Sequence, residues 1–337
     1  MAATATAGPA TANLERTSRA GRAGRAMGSP LRLQLAGEPP PALVDRAWSA
    51  VVDEFEATEQ ALSRFRPSSE VHQLRLARGW SETPSRRLVA ALTVADRARR
   101  LTGGRFDPRV LVDLERLGSV PVAPPAGEAP RAAQAHAGVS SAPLLRRVGR
   151  DGPIEVPLPV DFGGIGKGLA LRWAARRLES LPGSSGFLLE AGGDLVARGA
   201  PLGEPGWRIA IEDPRSVDHT NAGSPSVVVE LPLPAAAIAT SSTRRARWLD
   251  PSGREVHHLI DPRTGEPGGT GLLAVTVLGP DPAWAEVWSK ALFLEGAAGI
   301  AALARRRGLA AWWVTTAGDV EMTPAARWHT IWVAGEH

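Results

Sequence analysis

A glycine-rich segment at residues 160–168, VDFGGIGKG, carries one of the chain's two lysines, Lys167. Glycine lets a backbone approach a ligand closely, and the first amides of a following helix attract negative charge. A P-loop is excluded, because it requires Ser or Thr directly after the lysine and Gly168 stands there. The segment therefore predicts either a phosphate site or a tight turn from a strand into a helix.

A second segment with reactive side chains, residues 257–267, reads HHLIDPRTGEP. A histidine near a carboxylate, as with His258 and Asp261, can act as a general base near neutral pH. Adjacent residues on a strand point to opposite faces, so His257 and His258 cannot both serve one site. The alternatives are a half-buried structural histidine and an aspartate that caps a turn.

Two shorter patterns also carry charge. Residues 190–194, EAGGD, follow an apolar strand and are typical either of a hairpin or of a backbone close to a ligand. Glu286 and Lys290 stand four residues apart on a predicted helix, a spacing that allows a surface ion pair. Lys167 and Lys290 are the only lysines among 39 basic residues, so each indicates a need for a compact, titratable charge.

The spacing of apolar residues predicts the elements that position these segments. Helices are predicted over residues 41–62, 85–100, 108–117, 167–181, 241–248 and 283–304. Strands or turns are predicted over residues 30–35, 144–148, 156–162, 186–189, 195–198, 207–212, 226–231, 236–240, 255–260, 272–278 and 311–315. Runs of strands with few helices predict an α+β fold, with a mostly antiparallel, mixed β-sheet flanked by helices. Of the pair Trp312 and Trp313, one is expected to be buried and one exposed.

Composition narrows the classes of protein. The 337 residues, 43% hydrophobic and 22% charged, are typical of a globular chain. The net charge of +4 does not favour nucleic-acid binding, no apolar run is long enough for a membrane span, and the lack of cysteine excludes thiolate chemistry. We predict a disordered basic tail over residues 1–26 and a single domain over 27–337. The tail lacks the apolar core of a signal peptide, so a cytoplasmic location is expected.

In their order and spacing these segments resemble the ApbE family of FAD:protein FMN transferases, from about residue 27 to residue 296. GRFDPRV at residues 104–110 resembles the family's GaFDptv, and residues 160–170 resemble its lDlGgiaKGya. Residues 257–267 follow its hHIiDPrTG.P almost residue for residue. Further matches lie at residues 27–29, 65–72, 190–199, 207–214 and 238–242. The resemblance therefore implies an ApbE-like fold.

The resemblance also implies an activity and a site. Such enzymes cleave FAD, attach its FMN part to a Thr or Ser hydroxyl of an acceptor flavoprotein, and release AMP. His258 would accept the hydroxyl proton, and Asp261 would orient the turn or the metal shell. A divalent metal, usually Mg2+, would be held by the Ala170 carbonyl and the side chains at positions 286 and 290. The residues implied to bind FAD are Met27, Phe65, Arg105, Phe106, Asp107, Asp161, Lys167, Trp173, Thr240 and Ile260.

The metal positions depart from the family pattern. Glu286 stands in place of Asp and Lys290 in place of Thr. Glutamate can ligate Mg2+, whereas a charged ammonium has no lone pair and cannot. Either Lys290 replaces the metal as a fixed positive charge paired with Glu286, or the protein binds flavin without transferring it. Hydrolysis of FAD to FMN and AMP is a further alternative. We expect a retained FAD site with weakened or lost metal dependence.

Overall fold

A central antiparallel sheet organises the protein. The computed structural model describes residues 20–119, 143–147, 149, 152–215, 227–244 and 246–334. In this part of the chain, eight strands form the central sheet in the order β1-β2-β6-β7-β10-β15-β16-β17, and a smaller sheet has the order β18-β9-β8. The strands are β1 Gly21–Ala26, β2 Ser29–Leu35, β3 Trp80–Ser81, β4 Arg146–Arg147, β5 Ile154–Glu155, β6 Phe187–Ala191, β7 Asp194–Arg198, β8 Trp207–Glu212, β9 Val227–Leu233, β10 Ala235–Ser242, β11 Arg247–Leu249, β12 Glu255–His257, β13 Ile260–Asp261, β14 Glu266–Pro267, β15 Leu272–Gly279, β16 Ala310–Thr315, β17 Val320–Met322 and β18 Trp332–Val333.

Helices accompany the sheet, and the predicted α+β fold is confirmed. The helices are α1 Pro41–Leu62, α2 Glu70–Leu76, α3 Arg86–Leu101, α4 Leu111–Arg116, α5 Gly166–Glu179, α6 Pro282–Phe293, α7 Ala297–Arg306 and α8 Pro324–Arg327, with a 3₁₀ turn at Pro108–Val110. Among the described residues, none of these helices combines the length and the apolar character needed to cross a membrane.

One face of the central sheet is covered by helices. Val44, Val51 and Phe55 recur at helical spacing on α1 and are fully buried. They share a core with Leu31 and Leu33 of β2, to which α5 also contributes. Helix α6 lies beside α5 and packs on β10 and β15. The three helices therefore bring the starts of α5 and α6 to one place on this face.

The opposite face packs against the smaller sheet. Ile209 of β8 and Leu231 of β9 share a core with Trp312 of β16. Trp313, its neighbour, points the other way and packs under the helices. Both indoles are buried, with 2% and 3% of their surface exposed. The expectation that one is exposed is wrong, because this sheet is covered on both faces.

The first strand corrects the predicted tail. Within the predicted disordered segment, residues 1–26, the last six form β1 and pair with β2 along its whole length; residues 1–19 lie outside the described part. A Cβ at Gly24 would lie 2.9 Å from Cζ2 of Trp48, so the small residue there makes room for an indole of α1. Its low hydrophobicity reflects this close packing on an edge strand, which hydropathy alone does not show.

Three further predictions are wrong. Residues 241–248 are not a helix, because β10 continues to its end at Ser242 and β11 begins at Arg247. The helix predicted over residues 283–304 is two helices, separated at Gly296, whose φ of 74° is left-handed and ends helices. Residues 156–162 form no strand but an irregular segment between β5 and α5.

Candidate functional site

The glycine-rich loop delivers Lys167 to the junction of α5 and α6. Hydrogen bonds from the amides of Ile165 and Gly166 to the carbonyl of Phe162 close the loop as α5 begins. A Cβ at Gly168 would lie 2.6 Å from both the Ala283 Cα and the Pro282 carbonyl oxygen. Glycine is therefore required there for the backbones of the two helices to touch, and Lys167 lies beside that contact.

Lys167 is paired with a buried aspartate. Its ammonium contacts Oδ2 of Asp194, a residue with only 2% of its surface exposed. The other carboxylate oxygen of Asp194 accepts a hydrogen bond from the Thr240 amide at 3.1 Å. The Thr240 hydroxyl in turn lies 2.9 Å from that of Thr276. Asp194 is missing from the predicted site, although the EAGGD pattern that ends on it is the signal that could have found it.

Glu286 joins the same cluster from α6. Its Oε2 accepts a hydrogen bond from the Gly168 amide at 2.7 Å, and its Oε1 lies 3.7 Å from the Lys167 Nζ. Burial raises the pKa of the Glu286 carboxyl, and the positive charge of Lys167 opposes that rise. The predicted interpretation as a surface ion pair with Lys290 is wrong, because Glu286 is 4% exposed and bonds the first turn of α5.

Lys290, one turn after Glu286, extends to the glycine-rich loop. A Cβ at Gly164 would lie 2.6 Å from Cε of Lys290 and 3.1 Å from Cε2 of Phe106. Burial lowers the pKa of Lys290, and the negative charge of Glu286 opposes this. The ammonium has no hydrogen bond and no ion pair within 4.0 Å in the described part of the chain.

Asp161 connects this cluster to an arginine that the sequence analysis missed. Oδ1 of Asp161 lies 3.4 Å from Nε of Arg64, whose side chain is 10% exposed. Nη2 of Arg64 donates to the Ser119 hydroxyl at 2.9 Å, whereas its buried Nη1 has no partner among the described residues. The negative charge of Asp161 also acts on Lys290. No sequence motif marked Arg64, because its role depends on a contact between distant segments.

His258 lies in the field of the lysines. Burial, and next the positive charge of Lys290, lower its pKa to about 3. Its buried Nδ1 has no hydrogen-bond partner among the described residues. The imidazole is therefore neutral at pH 7 and free to take up a proton.

Asp261 holds the turn that follows His258. Its Oδ1 accepts hydrogen bonds from the amide and Nε of Arg263, each at 2.9 Å, and its Oδ2 lies 2.7 Å from Nη2 of the same guanidinium. Its carbonyl accepts from the Gly265 amide at 2.8 Å. Because both carboxylate oxygens are engaged, Asp261 is placed to orient the turn rather than to accept a proton.

Some of the residues predicted to bind FAD lie at this cluster. Asp161, Phe106 and Thr240 contact it as described above. The methyl carbon of Met27 lies 3.4 Å from where a Cβ of Gly166 would be, at the start of α5. Phe65 is 62% exposed, and the Arg64 guanidinium carbon lies 4.5 Å from its ring centroid, so its outer face is open to a planar ligand.

Other predicted FAD-binding residues have protein partners. Trp173 packs on the core beside α3, with the Arg87 guanidinium 4.5 Å from its ring centroid. Both oxygens of the buried Asp107 pair with the Arg109 guanidinium, and Arg105 pairs with Glu295. Ile260 is 3% exposed and packs in a small core between α4 and β12. The structure does not bring these four predicted residues onto Lys167 and Lys290.

The residues at the family's metal positions do not fit a divalent cation. Glu286 is the only one of them with a side-chain oxygen, and that carboxylate already bonds the Gly168 amide and faces Lys167. Ala170 lies inside α5, where carbonyl oxygens accept helical hydrogen bonds. A charged Lys290 repels a cation. Among the described residues, no three His, Cys, Asp or Glu side chains are grouped to hold a metal.

Comparisons with known proteins agree with this arrangement. A family model described as the ApbE family matches residues 27–313. Proteins of Klebsiella pneumoniae and Escherichia coli K12 named FAD:protein FMN transferase are each 29% identical to this chain, over 88% of it and 84% of their own length. The apo crystal structure of the Pseudomonas stutzeri flavinyl transferase ApbE has a TM-score of 0.74 at 26% identity, covering 92% of this chain and 96% of that one. The ApbE protein of Thermotoga maritima shares the fold, with a TM-score of 0.77 at 24% identity, over 92% of this chain and 98% of its own. Since the family model matches most of its length, the chain belongs to the ApbE family.

Proposed function

We propose that the protein is an FAD:protein FMN transferase that modifies a Thr or Ser hydroxyl of an acceptor flavoprotein. In this reaction the acceptor oxygen forms a bond to the phosphorus of the FMN half of FAD. The bond from that phosphorus to the bridging oxygen breaks, and the bridging oxygen leaves with AMP. The acceptor proton goes to a base, so the products are the FMN phosphoester and AMP. Relatives that carry this name over most of the chain support the proposal.

The observation that carries the proposal is the grouping of two lysines and a neutral histidine around one glycine-rich loop. Lys167 and Lys290 come from α5 and α6, and the charge of both acts on His258. Ammonium groups offset the negative charge of a pyrophosphate as its bridging bond breaks. With a pKa of about 3, His258 is unprotonated at neutral pH and is the candidate proton acceptor. Asp261 positions the turn that follows it.

The experiment is to incubate the purified protein with FAD, with and without a Thr-containing acceptor protein. AMP is followed by chromatography, and covalent flavin by the fluorescence and mass of the acceptor. AMP that forms only with acceptor, together with an acceptor heavier by one FMN, supports transfer. An acceptor in which the target Thr is replaced by Val is the control.

Two other outcomes would refute the proposal in favour of the alternatives. AMP that forms equally without acceptor indicates an FAD pyrophosphatase. Bound yellow flavin without AMP indicates a flavin-binding protein with no catalytic activity. The His258→Gln variant tests the assigned base, because it keeps a polar side chain but cannot take up the proton. We expect it to lose about 10²–10⁴-fold in the rate of AMP release while still binding FAD.

A further inference from the structure

We propose that Lys290 and Arg64 bind the pyrophosphate of FAD directly, in place of a divalent cation, so that the protein binds FAD without metal. The inference rests on the proposed function only for the identity of the ligand. It concerns two side chains of this chain, Lys290 at a family metal position and Arg64, which belongs to none of the motifs.

The balance of charge supports this assignment. The cluster contains three cationic side chains, Lys167, Lys290 and Arg64. It contains three carboxylates at the same time, and these are Asp161, Asp194 and Glu286. A threonine at position 290 would leave one net negative charge to attract a metal ion. With lysine there the fixed charges cancel, so a divalent cation would enter a site that already has an ammonium for each carboxylate.

Unmet hydrogen-bonding capacity points to an anion. Lys167 is occupied by Asp194, whereas the Lys290 ammonium has no hydrogen bond or ion pair among the residues that the structure describes. Nη1 of Arg64 is buried and equally without a described partner, in a side chain nine-tenths buried. Buried donors are normally satisfied, and each one left open carries a desolvation cost. Two open cationic donors beside one loop match the oxygens of a pyrophosphate.

Asp161 is the residue that holds the two donors in one cluster. Its carboxylate oxygen lies 3.4 Å from Nε of Arg64, and its negative charge acts on Lys290. The remaining guanidinium edge of Arg64 is left for a ligand. The aromatic ring of Phe65, stacked 4.5 Å from the Arg64 carbon and 62% exposed, lies next to that edge. A ligand that combines a planar ring with phosphates, as FAD does, fits this pairing.

The test measures FAD binding separately from catalysis. FAD is titrated into the full-length protein by flavin fluorescence, once with excess EDTA and once with added Mg2+. We expect the two dissociation constants to agree within about twofold. In EDTA, Lys290→Met and Arg64→Gln should each weaken FAD binding at least about tenfold, as expected for loss of a charged hydrogen bond. Arg208→Met, which removes an exposed cation with 73% of its side chain accessible, is the matched control and should bind as the unmodified protein does.

Further arms separate charge from shape and metal from no metal. Lys290→Arg keeps a cation and should retain more affinity for FAD in EDTA than Lys290→Met, with both variants checked for folding by thermal unfolding. Calorimetric titration of Mg2+ alone into the unmodified protein should show no saturable heat. Equal losses in the Arg and Met variants, saturable Mg2+ binding, or FAD binding that requires Mg2+ would each overturn the proposal.

Failure of this inference is distinguishable from failure of the proposed function. Tight FAD binding in EDTA without AMP release to any acceptor would refute the transferase and leave the two-cation site standing. AMP release to the acceptor that requires Mg2+ would support the transferase and refute the two-cation site.

Discussion

Replacement of Gly168 by alanine tests whether backbone contact between α5 and α6 builds the site. The new Cβ would lie 2.6 Å from the Ala283 Cα and from the Pro282 carbonyl oxygen. Neither atom belongs to a flexible side chain, so the two helices must move apart. The Gly168 amide, which donates to Glu286 at 2.7 Å, would move with them.

The magnitudes decide the sign of the effect. Alanine is favoured over glycine inside a helix by about 1 kcal/mol, which alone would stabilise the protein. Overpacking costs about 1–3 kcal/mol, and a weakened hydrogen bond to a charged group about 1.5–3 kcal/mol. We therefore expect Gly168→Ala to lower the free energy of unfolding by about 2–4 kcal/mol.

The matched control lies two residues earlier. A Cβ at Gly166 would meet nothing closer than the Met27 methyl carbon at 3.4 Å, which is ordinary contact. Gly166→Ala should therefore change stability by only about 0–1 kcal/mol, in the stabilising direction. Urea unfolding followed by tryptophan fluorescence measures both variants. A Gly168→Ala protein as stable as the unmodified one would refute the assigned contact.

Three further perturbations have expected outcomes. Lys167→Met removes the ammonium from the buried Asp194 and should lower the unfolding free energy by about 3 kcal/mol in urea titrations; an unchanged midpoint would contradict the pairing. Arg109→Met leaves the buried Asp107 without its guanidinium and should cost about 3–5 kcal/mol by the same measurement, whereas a loss below 1 kcal/mol would show that the ion pair is dispensable. Because the pKa of His258 falls from 6.5 to about 3 on folding, only the unfolded chain takes up this proton as the pH drops below 6.5. The unmodified protein should thus lose stability between pH 6.5 and about 3 more steeply than His258→Gln in thermal unfolding, and parallel pH profiles would refute the shift.

Sequence reasoning located the segments of the site because their chemistry is local. The glycine-rich loop and the segment that includes His258 and Asp261 were each predicted from adjacent residues. The helix over residues 41–62 was predicted to the residue, since its apolar face is continuous and uninterrupted.

What the sequence missed depends on contacts between distant segments. Arg64 is one of many arginines, and only its approach to Asp161 distinguishes it. Trp173 lies six residues after Lys167, yet it packs toward α3 because helical geometry turns it away from that lysine. Strand β1 lacks apolar residues, so only the indole of Trp48 seated over Gly24 explains its order.

Helix α6 serves the interior and the chemistry with the same few turns. Val287 and Ala291, both fully buried, alternate along it with Glu286 and Lys290. A random-mutagenesis screen for lost flavinylation would consequently return interior positions of this helix beside the charged ones. Sorting the two groups of mutants requires the amount of intact protein in the cell, because activity alone gives them one phenotype.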